Sequence, residues 1–572
     1  MKRTRNRVNL STENLGENER ANAVSRNGLA ILCSVLVFLS FFGVFPSLVH
    51  SQESMPTGQD AAAKWLSANG QKVEKREGVV KSLTIDREIV SIKELRIFSD
   101  LTDLAWSHAE GYQDLQNLEQ LESLRIHSGV ITPENLEKIC KIPKLKTLAF
   151  ESSETLPSLS PLSKCKSLEK LLIKRSPDTD FASLESLASC VNLRELSIGD
   201  ESYIITSSTD TTKGMLKDSH LKLVGKIESL QRVKISHGQL LTEQGLRELA
   251  VLPKLESVEF ESANVSGRGF DSFSSEQLKT ISIVNCRFSA EGLSAIAQMS
   301  QLENLIFFPS NGKKISMPPF QFGKTMKHLE LYRFEFKDRE LAGLTEISSL
   351  QLTECLGLAN AGIELQPKLS ELAVCDCVLR QSEIAAVAQS PALKRIGIYG
   401  TRIRSDWVTP LAEMKSLETV ELSGCKFLGD EAIEKFAKTP NLKTLGLANL
   451  RRVTDKSLTF LAESPNLEKL GLSDLPKISL TGFQSFPNQH PLKHLTLGSL
   501  DSISLAGIES LKRIQGLVEL RLSYMKLTDQ HIKAIMRLES LEELKFHRSF
   551  GPKQHLLYQD LIQTHPNLSK DR

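Results

Sequence analysis

The chain is poor in the residues on which several protein classes depend. Nine cysteines among 572 residues are too sparse for a disulfide scaffold. Aromatic residues make up 6%, with three Trp and six Tyr, which argues against a base-stacking or sugar-stacking surface. No charge sign dominates. Lys and Arg total 71 against 69 Asp and Glu, a formal net charge of +2, which excludes a broadly basic nucleic-acid binder. Uninterrupted apolar runs are lacking save one, so the chain is not a polytopic membrane protein. GxxxxGK[ST], GxGxxG, GxSxG and HExxH are all missing. The 12 His are scattered without metal-ligand spacing; His494 and His547, two units apart on outward strand positions, read as surface histidines. The expectation is a chain with no catalytic residues, no cofactor and no metal. What is present, 40% hydrophobic and 24% charged residues, is ordinary globular usage.

The small net charge hides a segregation. Six of the 71 basic and three of the 69 acidic residues fall in 1–27, giving a tail of +3. Residues 28–51 carry none, so the rest holds 65 basic against 66 acidic residues. The exceptional apolar run is Leu29 to Val49, about 21 residues, long enough to cross a bilayer as a helix. Its positive flank precedes it, which orients the N-terminus to the cytoplasm and the body outside. Pro46 followed by Val49-His50-Ser51 suits signal-peptidase cleavage after Ser51, while the length of the run suits an uncleaved anchor. Both readings stay open, and both export the body.

The body is one pattern repeated. LxxLxL, with Ile, Val, Phe or Met as substitutes, recurs at Leu121-Leu124-Ile126, Leu168-Leu171-Ile173, Leu255-Val258-Phe260 and Leu417-Val420-Leu422, for example, mostly at 23–25-residue steps. Two weaker copies, Val80-Leu83-Ile85 and Ile92-Leu95-Ile97, open the series. Between copies, Thr454-Asp455, Thr242-Glu243 and Thr528-Asp529 each precede apolar residues three and four apart, an N-cap followed by one helical face. Pro253, Pro440 and Pro465 then end the helix. Each unit is therefore a strand, a turn and a helix that can bury its apolar face only against its neighbours.

On these residues the chain resembles a leucine-rich repeat (LRR) protein over roughly 80–550. The resemblance implies an α/β solenoid (horseshoe) of about 20 repeats, with a parallel β-sheet on the concave face and helices on the convex face. At ~4.8 Å per strand the sheet would run on the order of 90–100 Å. Cys286, Cys355, Cys377 and Cys425 fall at the ninth repeat position, where the family's side chain satisfies backbone groups of the following turn. That cysteine type is similar to F-box LRR repeats and to repeats of exported bacterial LRR proteins. The expected organisation is a basic tail (1–27), a signal peptide or transmembrane anchor (28–51), an N-terminal cap (52–80), the solenoid (81–550) and a C-terminal cap (551–572).

Cys165 and Cys190 share one repeat position in adjacent units, as do Cys355 and Cys377. Equivalent atoms there would lie ~5 Å apart, within disulfide reach. Buried free thiols are the alternative and the preferred reading. Residues 200–226 form a polar excursion within one long 37-residue step.

The functional candidates lie on the concave face. Gly397, Gly446 and Gly471 are central outward residues of late strands, and glycine within a strand marks close approach of another backbone. Tyr399 and Tyr524 flank this small-residue floor, and Tyr332, Arg333 and Arg521 join them as interface anchors. The competing reading is that small residues only relieve crowding on a curved sheet. The expected function is an exported, non-enzymatic scaffold that binds a protein partner on its concave face, without nucleic acid, and meets membrane only through 29–49. Two alternatives remain: a substrate-recognition subunit of an F-box ubiquitin ligase, disfavoured by the export segment and the lack of an F-box-sized segment ahead of the array, and a structural or adhesive envelope protein. Oligomeric state is not legible.

Overall fold

The computed structural model describes residues 55–86, 90–107, 111–127, 131–151, 158–174, 179–199, 215–310, 315–316 and 324–547. The basic tail, the apolar segment, the C-terminal cap and positions 200–214 of the polar excursion lie outside the described residues. Contacts divide the chain into Met1–Pro56 and Thr57–Arg572. Among the described residues no helix is long and apolar enough to cross a membrane.

The second unit begins with a helix, Gln59–Ala68, and a strand, Lys72–Arg76, that runs antiparallel to Val79–Ile85. From Val79–Ile85 onward each strand of the main sheet pairs in parallel with the next, to Glu543–His547, while Ile315–Ser316 and Phe334–Glu335 form a separate two-stranded sheet. The main sheet has 21 described strands. Among its parallel pairs the register shifts once, where Asn285 is passed over between Val284 and Cys286 opposite Phe308 and Pro309. Val420, Leu445, Leu470 and Leu495 stand side by side, as do Leu422, Leu447, Leu472 and Leu497. These apolar positions are buried while their neighbours stay partly exposed, as in the alternation along Thr444–Ala448. A one-residue slip would turn each Leu pair to solvent, so the pattern itself fixes the pairing.

The convex layer mixes short α-helices with 3-10 turns. Thr242, Thr454 and Thr528 cap their helices as the sequence predicts, accepting from the backbone N–H of Gln244, Lys456 and His531. One opening copy is different. Ile92-Leu95-Ile97 is not a strand: Glu94–Ile97 is a 3-10 turn, and the second parallel strand is Asp103–Trp106. Trp106 at the last apolar position masks the Leu101-Leu104 pair that belongs to the series.

After each late strand comes a residue with positive φ, including Arg333 (62°), Glu354 (53°), Asp376 (49°), Asn449 (49°), Asp474 (49°) and Tyr524 (54°). This flip aims its N–H forward: Asn449 donates to Ser473 O and Asp474 to Gly498 O, both at 3.0 Å. One place earlier, directly after the last apolar strand residue, the N–H of the first units points back along the ladder, His127 to Trp106 O and Gly199 to Ile173 O.

The ninth-position cysteines reach carbonyls of the preceding strand rather than the turn after their own. Cys286, Cys355, Cys377 and Cys425 direct Sγ at the carbonyls of Phe260, Leu331, Leu352 and Ile398. Cys355 and Cys377 are free thiols, the Cys355 N–H donating to Cys377 Sγ at 3.3 Å. The Cys165–Cys190 pairing is overturned. Cys165 is bonded to Cys140, with Cα atoms 4.7 Å apart, and Cys190 is free. All three cap the C-terminus of their convex elements, 25 residues apart. Cys140 escapes detection because two extra residues separate it from its strand leucine, Leu145. Burial pushes the Cys190 thiol up to about 11, which leaves little thiolate to attack the neighbouring bond.

Candidate functional site

Unbroken register sets Glu421, Gly446, Gly471, Thr496 and Arg521 abreast on five consecutive strands. Ser423, Ala448, Ser473, Gly498 and Ser523 form the next outward row. With Tyr399, Lys469, His494, Glu519 and Tyr524 they line a hollow of about 720 Å³. At ~4.8 Å per strand, Glu421 and Arg521 stand roughly 19 Å apart. Five of the residues chosen from sequence thus share one cavity: Tyr399, Gly446, Gly471, Arg521 and Tyr524.

The glycines arise from different causes. A Cβ at Gly397 would come within 2.5 Å of the Tyr399 hydroxyl, so that glycine makes room for a ring of its own strand. At Gly446 the nearest atom to a Cβ would be Glu421 Cγ at 3.4 Å, and at Gly471 it would be Gly446 Cα at 3.8 Å. Both are ordinary contacts, and neither position has positive φ. Crowding accounts for Gly397 and fails at Gly446 and Gly471.

The two ends of the hollow are held by polar networks. The Tyr399 hydroxyl donates to Glu421 at 2.6 Å. Burial first, and then the Glu421 carboxylate, push that phenol above its ordinary range. At the other end Glu519 takes His494 Nδ1 at 2.9 Å on one oxygen and Arg521 Nε at 2.5 Å on the other. Burial raises the Glu519 carboxyl, yet the hydrogen bonds from His494, Arg521 and Glu543 together hold it below the usual range. Tyr524 is 39% exposed, and its ring meets His547 edge-on at 5.2 Å. The sequence marks His494 only as a surface histidine. Its partner Glu519 sits two residues before Arg521, an alternation that signals an outward ion pair.

Tyr332 and Arg333 are not part of this floor. Register puts Tyr332 three strands from Tyr399, beyond Thr353 and Cys375. The Tyr332 hydroxyl donates to Glu354 at 2.8 Å and Arg333 Nε donates to the same carboxylate at 2.6 Å. The guanidinium lies 4.7 Å from the Tyr332 ring centre, and that ring stacks on Phe308 at 5.5 Å. Both residues fasten neighbouring strands together. Among the described residues no group of three or more His, Cys, Asp or Glu could hold a metal ion.

The Leucine Rich repeat family matches residues 413–437. Comparison with curated proteins returns no match. Three solved structures are similar. An LRR protein of Leptospira interrogans is 15% identical with a TM-score of 0.35, over 86% of this chain and 99% of its own. The plant peptide hormone receptor RGFR1, in complex with RGF2, is 14% identical with a TM-score of 0.36, over 83% and 82%. TLR13, in complex with ssRNA13, is 16% identical with a TM-score of 0.46, over 82% and 73%. At these identities none of the three bears on what this chain binds. The LxxLxL strand pattern and the parallel ladder give the described residues the fold of a leucine-rich repeat solenoid, and residues 413–437 match that repeat.

Proposed function

We propose that this chain is an exported, non-enzymatic scaffold that binds a protein partner in the concave hollow between Tyr399 and Tyr524. One observation carries the reading: Gly446 and Gly471 keep the floor bare although no neighbour requires it. Glycine in a strand costs stability, and a ligand backbone approaching closely is the usual compensation. The exposed Tyr524 ring and the half-exposed Arg521 supply anchors of the kind that dominate protein interfaces. The non-enzymatic reading rests on Glu519, the buried acid of the site, which is held ionised by its partners and is not poised to take up a proton. The Cys140–Cys165 bond supports export, because disulfides persist in oxidising compartments.

The test is proximity labelling in the native envelope with wild type and with Gly446→Arg plus Gly471→Arg, which fill the floor. Loss of a saturable protein partner at unchanged thermal midpoint is expected. Identical partner profiles would sink the reading.

A further inference from the structure

We infer that the flank of the solenoid from Arg402 to Lys477 is a second binding surface, separate from the concave floor, whose occupant is an acidic polypeptide segment of a partner protein. Past each late strand the chain turns away from the concave face. Four successive turns there expose Arg402 and Arg404, then Lys426 and Phe427, then Arg451 and Arg452, then Lys477. Bridges Gly429↔Arg452 and Thr454↔Lys477 hold adjacent turns in parallel alignment, so these side chains form one surface. A hollow of about 660 Å³ opens within it, bordered by Arg402, Arg404, Phe427, Arg452 and Lys456.

Two features mark this surface as unfinished. Phe427 is 43% exposed, one of only two aromatics among the exposed large hydrophobic residues described; the other is Tyr524, on the concave floor. Its ring carries the Arg452 guanidinium 5.4 Å from its centre, an amphipathic platform. The second feature is charge. Arg404 pairs with Asp406 at 3.3 Å, whereas among the described residues no ion pair engages Arg402, Lys426, Arg451, Arg452 or Lys477. Two of the neighbouring acids are committed to the fold. Asp430 accepts from the Thr454 N–H and hydroxyl, both at 2.8 Å, and from Ser457 at 2.6 Å. Asp455 accepts from the Ser479 hydroxyl at 2.5 Å and its N–H at 3.1 Å.

The mixture of charges selects the class of occupant. Asp406, Asp430 and Glu431 also border the hollow. A continuous polyanion such as nucleic acid or a sulfated glycan would lay phosphates or sulfates against these carboxylates. A peptide with spaced acidic residues avoids them. It can give each arginine fork a carboxylate, the geometry that guanidinium matches with two bonds, and place an apolar side chain on Phe427.

The test is fluorescence anisotropy of the full chain with a labelled peptide of alternating Glu and Gly around one central Leu. Saturable binding that weakens as salt rises is expected. Arg402→Glu plus Arg452→Glu should weaken it at least about tenfold, a rim charge reversal, at unchanged circular dichroism. Phe427→Ser should weaken binding of this peptide but not of one with Gly in place of Leu. Should the charge reversal disturb folding, Arg402→Gln plus Arg452→Gln should still weaken binding. No saturable binding, binding indifferent to both arginine pairs, or tighter binding of a labelled DNA oligonucleotide through the same arginines overturns the proposal.

Discussion

Tyr399 lies folded over Gly397 on its own strand, with its hydroxyl donating across the sheet to Glu421 at 2.6 Å. The ring and the glycine form one unit, and the two glycines farther along the same row belong to nothing comparable. Gly397→Ala should therefore displace the ring and destabilise the protein by about 1–3 kcal/mol, the usual cost of overpacking. Gly446→Ala and Gly471→Ala should instead stabilise it, by about 0.4–1 kcal/mol each, through the unfolded chain. Denaturant midpoints decide the matter; equal losses at all three positions would show that crowding set them all.

The disulfide joins residues 25 apart in sequence. In the chain-entropy picture a loop of that size stabilises the fold by about 3 kcal/mol. Reduction, or Cys140→Ser, should lower the thermal midpoint by a matching amount. Alkylation of denatured, unreduced protein should modify the six free thiols of the described residues, from Cys190 to Cys425, and spare Cys140 and Cys165. Labelling of Cys140 would refute the pairing.

Acidification should weaken the solenoid through its buried histidines. His490 is buried, its Nε2 facing Leu461 O at 3.1 Å while Nδ1 accepts from the Leu492 N–H at 3.2 Å. Burial holds its pKa below the ordinary 6.5, and does the same for His531 and, with help from Lys217, for His220. As pH falls through about 6.5 the unfolded chain takes up protons that the folded chain refuses, so stability drops. The contribution is complete above that value. Thermal midpoints should fall between about pH 7 and pH 5, and His490→Gln should make the slope shallower. A midpoint that rises on acidification would contradict this sign.

Left-handed residues after the strands make a sharper prediction about side-chain shape. Asn449 is exposed with φ +49°, a conformation that Asn tolerates and β-branched residues do not. Asn449→Val should cost about 1–2 kcal/mol with no packing lost, while Asn449→Gly should be neutral or stabilising. Chemical denaturation of the two variants tests the pair, and equal stabilities would deny the strain.

The solenoid is legible in the sequence because a leucine pair two residues apart can bury only one way, and some twenty copies agree. The floor is legible for the same reason: register carries Gly446, Gly471 and Arg521 to one row without further information. Other features depend on lengths that vary between units. Cys140 is equivalent to Cys165 when counted from the end of the helix and not when counted from the strand. Tyr332 and Arg333 look like free anchors until Glu354, one strand away, is seen to hold both. The Phe427 flank lies in turns that follow no consensus, and its only signal is basic residues recurring within one residue of the same offset after successive strands.

From Arg333 to Tyr524, the left-handed residue two places past the last apolar strand position hands its N–H to the unit ahead: Arg333 to Thr353 O, Asn449 to Ser473 O and Tyr524 to His547 O. Each unit of this run thus leaves one donor for its successor, as overlapping tiles leave one edge uncovered. The junctions are thereby interchangeable. A copy gained or lost within the run leaves every remaining donor an acceptor, and the array can change length without a new kind of joint.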